Sequence, residues 1–138
     1  MKTETTDSSK FSKCLIRKQQ VANTPEEGVR QSLIQKMIGE LGFPKGLISV
    51  ERKIGHRRFD LVCYSKEMTP LLLVECKAGA LDEAAVRQAL GYNDVVKAPF
   101  ICLVNSKEMI TLWHEQGRIA SVPFLPSFEN LYEISRRL

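Results

Sequence analysis

The chain lacks most of the patterns by which a sequence declares its chemistry. It has two histidines, His56 and His114, far apart, and no HExxH stretch, so a helix-borne zinc hydrolase is excluded. Its four cysteines, Cys14, Cys63, Cys76 and Cys102, form no CxxC pair, which argues against a zinc site or a dithiol redox centre. Three of them fall in apolar strand-like runs, where a reduced cysteine acts as a small hydrophobe. There is no GxxxxGK[ST], no GxSxG and no GxGxxG, which removes the P-loop motor, the nucleophile elbow and the dinucleotide fingerprint. No apolar run approaches the roughly 18 residues that a membrane span needs, and Met1 to Thr5 begins no hydrophobic signal core. A cytoplasmic location is expected. No internal repeat or low-complexity block is present.

What remains is an ordinary globular composition over 138 residues, 43% hydrophobic and 26% charged, enough to bury one core without staples. Twenty Lys and Arg against sixteen Asp and Glu give a net charge of +4, an excess that permits nucleic acid as a partner without establishing it. Residues 1–12 read as a polar, weakly ordered tail, and residues 13–138 as one domain. A short strand is expected over residues 13–17. Thr24, Pro25 and the Glu26-Glu27 pair then make a strong helix start, with a capping box from Thr24 to Glu27. Val29, Leu33, Ile34, Met37, Ile38 and Leu41 carry the helix to a stop at Gly42 and Pro44.

Strands are expected at residues 47–54 and 59–64, joined by a basic turn of Gly55, His56, Arg57 and Arg58. A third strand begins at Leu71, and the three form an antiparallel meander. A second helix starts at Asp82 and Glu83 and reaches about Lys97. Its apolar face is read as Leu81, Ala84, Ala85, Tyr92 and Val95, with Gln88 near the middle. Residues 100–105 and 109–114 read as neighbouring strands, followed by a tail with Pro123, Pro126 and a short amphipathic piece. This order predicts an α/β fold with a mixed central sheet flanked by helices.

The chemistry concentrates where the third strand ends. Leu71 to Val74 is a continuous apolar run, yet Glu75, Cys76 and Lys77 follow directly. Period-two alternation turns Glu75 and Lys77 to one face and Cys76 to the other. In an antiparallel meander Asp60, at the start of one strand, lies beside Glu75 near the end of the next. Two such carboxylates suit a hard divalent cation such as Mg²⁺, with Lys77 beside it to stabilise an oxyanion or orient a water. That is a site for metal-assisted phosphodiester hydrolysis. An acid-x-lysine triplet alone arises by chance about once in every couple of chains this size, and a solvated strand end is its bland explanation. Three features weigh against blandness. Glu26 and Glu27 share the inward side of the first helix with Val29, Arg30 and Leu33, although capping explains them equally well. Gln88 and Tyr92, four apart, share a helix face. Arg57 and Arg58, with Arg52, Lys53 and His56, offer phosphate contacts near Asp60, although basic turns are more often merely solvated.

With these residues in view, the chain resembles the PD-(D/E)xK nuclease superfamily. Asp60 stands as the aspartate, with Phe59 where the naming proline would be, and Glu75-Cys76-Lys77 is the (D/E)xK element. Gln88 to Tyr92 matches QxxxY. The run from Thr24 to Gln31, then Arg58-Phe59-Asp60, Val74 to Ala78 and Gln88 to Asn93 resembles more closely the N-terminal nuclease domain of type I restriction enzyme R subunits. The resemblance implies a restriction-endonuclease-like core and Mg²⁺-dependent cleavage of DNA, with Mn²⁺ as a substitute. It implies that Asp60, Glu75 and the backbone carbonyl of Cys76 hold the metal, that Glu26 or Glu27 completes the acidic cluster, and that Lys77 positions the attacking water. Gln88 and Tyr92 would shape the pocket or contact the DNA backbone. An R subunit carries an ATP-driven motor after this domain, and none follows here. Three functions are therefore expected to compete: a stand-alone nuclease, a catalytically silent DNA-binding module, and a subunit that works with a separately encoded motor or specificity partner.

Overall fold

A computed structural model describes the main chain of Phe11–Lys13 and Gln20–Ala22, and residues 24–138 in full. The first two segments, β1 (Phe11–Lys13) and β2 (Gln20–Ala22), form a small antiparallel pair. The strand expected over residues 13–17 meets β1 only at Lys13, and residues 14–17 lie outside the described residues. So does most of the expected tail, whose last two residues belong to β1.

The main sheet has six strands in sequential order, β3 (Ile48–Ile54), β4 (Arg57–Tyr64), β5 (Pro70–Cys76), β6 (Phe100–Val104), β7 (Met109–Glu115) and β8 (Arg118–Val122). All neighbours are antiparallel except β5 and β6. A parallel pair needs a crossover, and α2 (Glu83–Val96) supplies it. The sheet is thus mixed and the fold α/β. Helices cover both faces, which accounts for the uninterrupted burial of β5 and β6. On one face α1 (Pro25–Gly39) and α3 (Phe128–Ser135) pack Leu33, Ile34, Met37, Phe128 and Leu131 against Leu61, Leu72, Val74 and Cys102. On the other face Ala89, Tyr92 and Val96 of α2 meet Phe59, Val62, Leu73, Ile101 and Leu103.

Local chemistry sets the element ends. The Thr24 hydroxyl accepts the N–H of Glu27 at 3.1 Å, as the capping pattern requires, and the Asp82 carboxylate accepts that of Ala85 at 2.9 Å. Helix α1 stops at Gly39, short of Leu41, and Gly42 at φ +72° reverses the chain so that Phe43 bonds back to Met37. No helix among the described residues is long and apolar enough to cross a membrane.

Three expectations need correction. Arg57 and Arg58 are not turn residues: they pair with Ile54 and Lys53, and the reversal is confined to Gly55 and His56, with Gly55 at φ +64°. The buried line of α2 is Ala89 and Val96, while Ala84, Gln88 and Val95 are exposed. Leu81, Ala85 and Tyr92 of the expected face do pack against the core beside Ala89 and Val96, and of its apolar residues only Ala84 and Val95 lie off that line. Finally, β8 was not foreseen. It is an edge strand with mostly exposed residues, and its apolar Ile119, Ala120 and Val122 do not alternate with polar ones.

Candidate active site

The site forms where β4 and β5 leave the core beside the start of α1 and the middle of α2. Leu61 pairs with Val74, so Asp60 and Glu75 stand next to one another on adjacent strands. Asp60 lies within β4 rather than at its start, because the strand begins two residues earlier than expected. Its N–H donates to Glu75 Oε2 at 3.3 Å, and the N–H of Cys76 donates to Asp60 Oδ2 at 2.8 Å. Lys77 falls one residue beyond β5, its N–H held by the Val104 carbonyl at 2.8 Å.

Asp60 is aimed by an irregularity in its strand pair. Val50 and Leu61 pack toward α1, whereas Phe59 and Val62 both pack toward α2, which strict alternation forbids for residues three apart. Opposite the break, Glu51 adopts φ +52°, an uncommon conformation for a residue with a side chain, and the ladder steps from Val50–Leu61 to Arg52–Phe59. Such breaks redirect side chains at sheet ends.

An open, largely polar cavity of about 680 Å³ gathers these groups. Its walls include Glu26, Glu27, Arg30, Glu51, Arg58, Asp60, Glu75, Cys76, Lys77, Gln88 and Tyr92. The Lys77 ammonium donates to Oε1 of Gln88, so the exposed position of Gln88 on α2 is what brings it to Lys77. Tyr92 is half-buried, set edge-on to Phe59 with ring centroids 6.2 Å apart. The Arg57 guanidinium lies over the Tyr92 ring at 4.9 Å, a cation–π contact that places Arg57 beside the cavity rather than in its wall.

The first-helix glutamates differ. Glu27 is buried, its Oε1 bound by Arg30 and its Oε2 by Gln31 Nε2 at 2.6 Å. Glu26 is exposed at the cavity, and its charge helps to raise the pKa of Asp60. Neither is drawn into the Asp60–Glu75 pair: among the described residues no three His, Cys, Asp or Glu side chains converge as a metal cluster. Arg30 intervenes. It is only 6% exposed and reaches Glu27, Glu51 Oε2 at 3.0 Å and Asp60 Oδ1 at 3.5 Å. Arg30, on the inward side of α1, and Glu51 are site residues to which the sequence pattern assigns no role. Their signals were a basic residue one turn after Glu27 and an acid that breaks the apolar beginning of β3.

Burial, and then the charge of Asp60, push the Glu75 carboxyl up to about 7. Burial raises Asp60 too, against the opposing pull of the Cys76 N–H and Arg30. The acidic pair is therefore undercompensated by the protein itself. When all are ionised, five carboxylates in the cavity wall face three cations, an excess of two negative charges. Two carboxylates and the main chain of Cys76, whose thiol packs in the core, offer hard oxygen donors only. This donor set and charge fit one Mg²⁺-type ion that keeps several waters.

Residues 25–126 match the family model described as Type I restriction enzyme R protein N terminus (HSDR_N). The chain belongs to the HSDR_N family. Among solved structures, this HSDR_N domain is similar to the fragment structure of a protein described as an HsdR subunit of a type I restriction enzyme from Vibrio vulnificus YJ016. The TM-score is 0.56 at 16% identity, covering 73% of this chain and 23% of that one. At such identity the likeness establishes the shared fold, a restriction-endonuclease-like core, and the chain spans under a quarter of that relative's length. The type IIG restriction endonuclease BpuSI also matches, with a TM-score of 0.47 and 20% identity over 67% of this chain and 11% of its own. No curated protein matches the HSDR_N chain.

Proposed function

We propose that this HSDR_N domain is a Mg²⁺-dependent DNA endonuclease. One observation carries the reading above the others: Asp60 and Glu75 interlock across adjacent strands in the same cavity as Lys77, with surplus negative charge and hard oxygen donors. Asp60, Glu75 and the Cys76 carbonyl would hold the cation, which supplies Lewis acidity toward the scissile phosphate when bound.

The protein's own groups do the rest. Lys77, steered by the amide oxygen of Gln88, is placed to donate a hydrogen bond to the attacking water or to the phosphate oxygen on which charge develops. The water oxygen bonds to phosphorus as it releases a proton to solvent, the P–O bond to the leaving sugar oxygen breaks, and a solvent proton completes the leaving group. Arg58 in the cavity wall and Arg57 beside it would bind flanking phosphates without reading bases. Tyr92 fixes Arg57 and closes one side of the cavity. Partners in this reading are DNA and a motor or specificity subunit of a type I restriction system; a cytoplasmic setting goes with it.

The test is cleavage of supercoiled, linear, single-stranded and branched DNA in Mg²⁺ or Mn²⁺. The expected result is cutting that vanishes with chelator and in Asp60→Ala, Glu75→Ala and Lys77→Ala, while circular dichroism stays unchanged. No cutting of any substrate at high protein concentration would overturn a self-sufficient nuclease. Cutting that appears only after a motor or specificity subunit is added would establish the partner-dependent form.

A further inference from the structure

We propose that Arg30 is a positioning residue that fixes the carboxylate plane of Asp60 for cation binding, using Glu27 and Glu51 as its anchors. The inference rests on the reading of Asp60 as a cation ligand and assigns it a support from a different layer of the fold. Both oxygens of Asp60 are gripped: Oδ2 by the Cys76 N–H at 2.8 Å from β5, and Oδ1 by Arg30 Nη1 at 3.5 Å from α1. A carboxylate held at both oxygens by two separate elements has its terminal torsion set, and broad terminal torsions are otherwise the rule for aspartate.

The guanidinium is itself immobilised. Nη2 donates to Glu51 Oε2 at 3.0 Å and to Glu27, whose other oxygen is occupied by Gln31. Glu51 presents its carboxylate from the left-handed position, φ +52°, at the break that aims Asp60. Arg30, Glu51 and Asp60 therefore link α1 to both strands of the irregular pair. One detail argues against a role in stability alone. Nε of Arg30 is buried and has no acceptor among the described residues, so the fork is oriented for the carboxylates at the expense of its own third donor. Buried arginine–carboxylate groups are weak stabilisers in general, and a non-glycine left-handed residue adds strain.

Electrostatics and positioning predict opposite outcomes, which makes the inference testable on the metal alone. If Arg30 were only a competing cation near Asp60, Arg30→Gln would tighten binding of Mn²⁺. If it positions Asp60, Arg30→Gln weakens Mn²⁺ despite the more negative site, by roughly the 10–100-fold typical of groups that orient metal ligands. Arg30→Lys, which keeps the charge but loses the fork, weakens it as well. The experiment is Mn²⁺ titration calorimetry on the full chain, with urea unfolding run in parallel. Should the Arg30 variants fail to fold, Glu51→Gln decides: it keeps the side-chain shape while weakening the anchor, and a several-fold loss of Mn²⁺ affinity is expected. Unchanged or tighter Mn²⁺ binding in the folded variants overturns the positioning role. Asp60→Ala separates the two readings. If it binds Mn²⁺ as well as the parent does, the metal site itself is wrong. If it does not bind while the Arg30 variants bind normally, only the role of Arg30 falls.

Discussion

Asp60 and Glu75 are each anchored by the main chain of the strand that carries the other: the Asp60 N–H donates to Glu75 Oε2 at 3.3 Å, and the amide next to Glu75, that of Cys76, donates to Asp60 Oδ2 at 2.8 Å. Separating the pair would break both of these bonds, so its mutual repulsion is relieved most directly by a proton or by a cation.

Glu75 therefore makes the metal-free protein sensitive to pH. Its carboxyl is raised from 4.5 to about 7, so the folded state holds a proton that the unfolded chain releases. The stability this confers is fully present below about pH 4.5 and is lost as pH rises through about 7, by an amount on the order of 3 kcal/mol. Urea unfolding in chelator at pH 5 and pH 8 should show the loss, Glu75→Gln should flatten it, and Mg²⁺ at pH 8 should restore much of it.

Lys77 and Gln88 should act on rate and not on stability. Both sit at the cavity, and Gln88 is exposed on α2. Lys77→Ala is expected to slow cleavage ~10²–10³-fold, the range for loss of one transition-state hydrogen-bond donor. Gln88→Ala, which only releases the ammonium, should lose about tenfold. Single-turnover rates in Mg²⁺ measure both, and unfolding midpoints should stay within about 0.5 kcal/mol of the parent.

Arg58 should report on phosphate contact. It lies in the cavity wall, and its removal should weaken binding of duplex DNA regardless of sequence. The slope of log affinity against log salt should fall by about 1 in Arg58→Ala, measured by fluorescence anisotropy in Ca²⁺ to suppress cutting.

The phase of α2 can be tested by volume. Ala89 is buried against Ile101 and Leu103, while Ala84 is exposed. Ala89→Leu should destabilise by about 1–3 kcal/mol through overpacking, and Ala84→Leu by less than about 0.5 kcal/mol. Chemical denaturation of the two variants would distinguish them.

Where the sequence was legible, a strong local rule and the tertiary structure agreed. Thr24, Pro25 and Glu27 mark the start of α1 because capping chemistry is local. Leu71 to Val74 mark a buried strand because nothing but apolar burial explains them. Asp60 and Glu75 could be placed side by side because a meander fixes which strand ends meet. Arg57 and Arg58 misled because charge suggested a turn where pairing extends the strand. On α2, Leu81, Ala85 and Tyr92 were legible at helical spacing, whereas Ala84 and Val95 misled because they are apolar residues on the exposed side. Strand β8 was silent as an edge, although Gln116 and Gly117, both at positive φ, formed the reversal that announces it. Arg30 was the hardest to read, since a buried guanidinium with three carboxylates is a property of three separated segments, α1, β3 and β4, and of no single pattern.

Strand β5 is buried along almost its whole length, and it ends at the site without an intervening loop. Regions that open locally are those with few buried contacts and solvated hydrogen bonds, and β5 is buried among neighbours on both sides. The amides of residues 71–76 should thus exchange with solvent only when the whole domain unfolds. In the proposed nuclease, adjustment to DNA would fall to Lys77, Gln88 and the rim of α1, while the acid pair stays as rigid as the strand behind it.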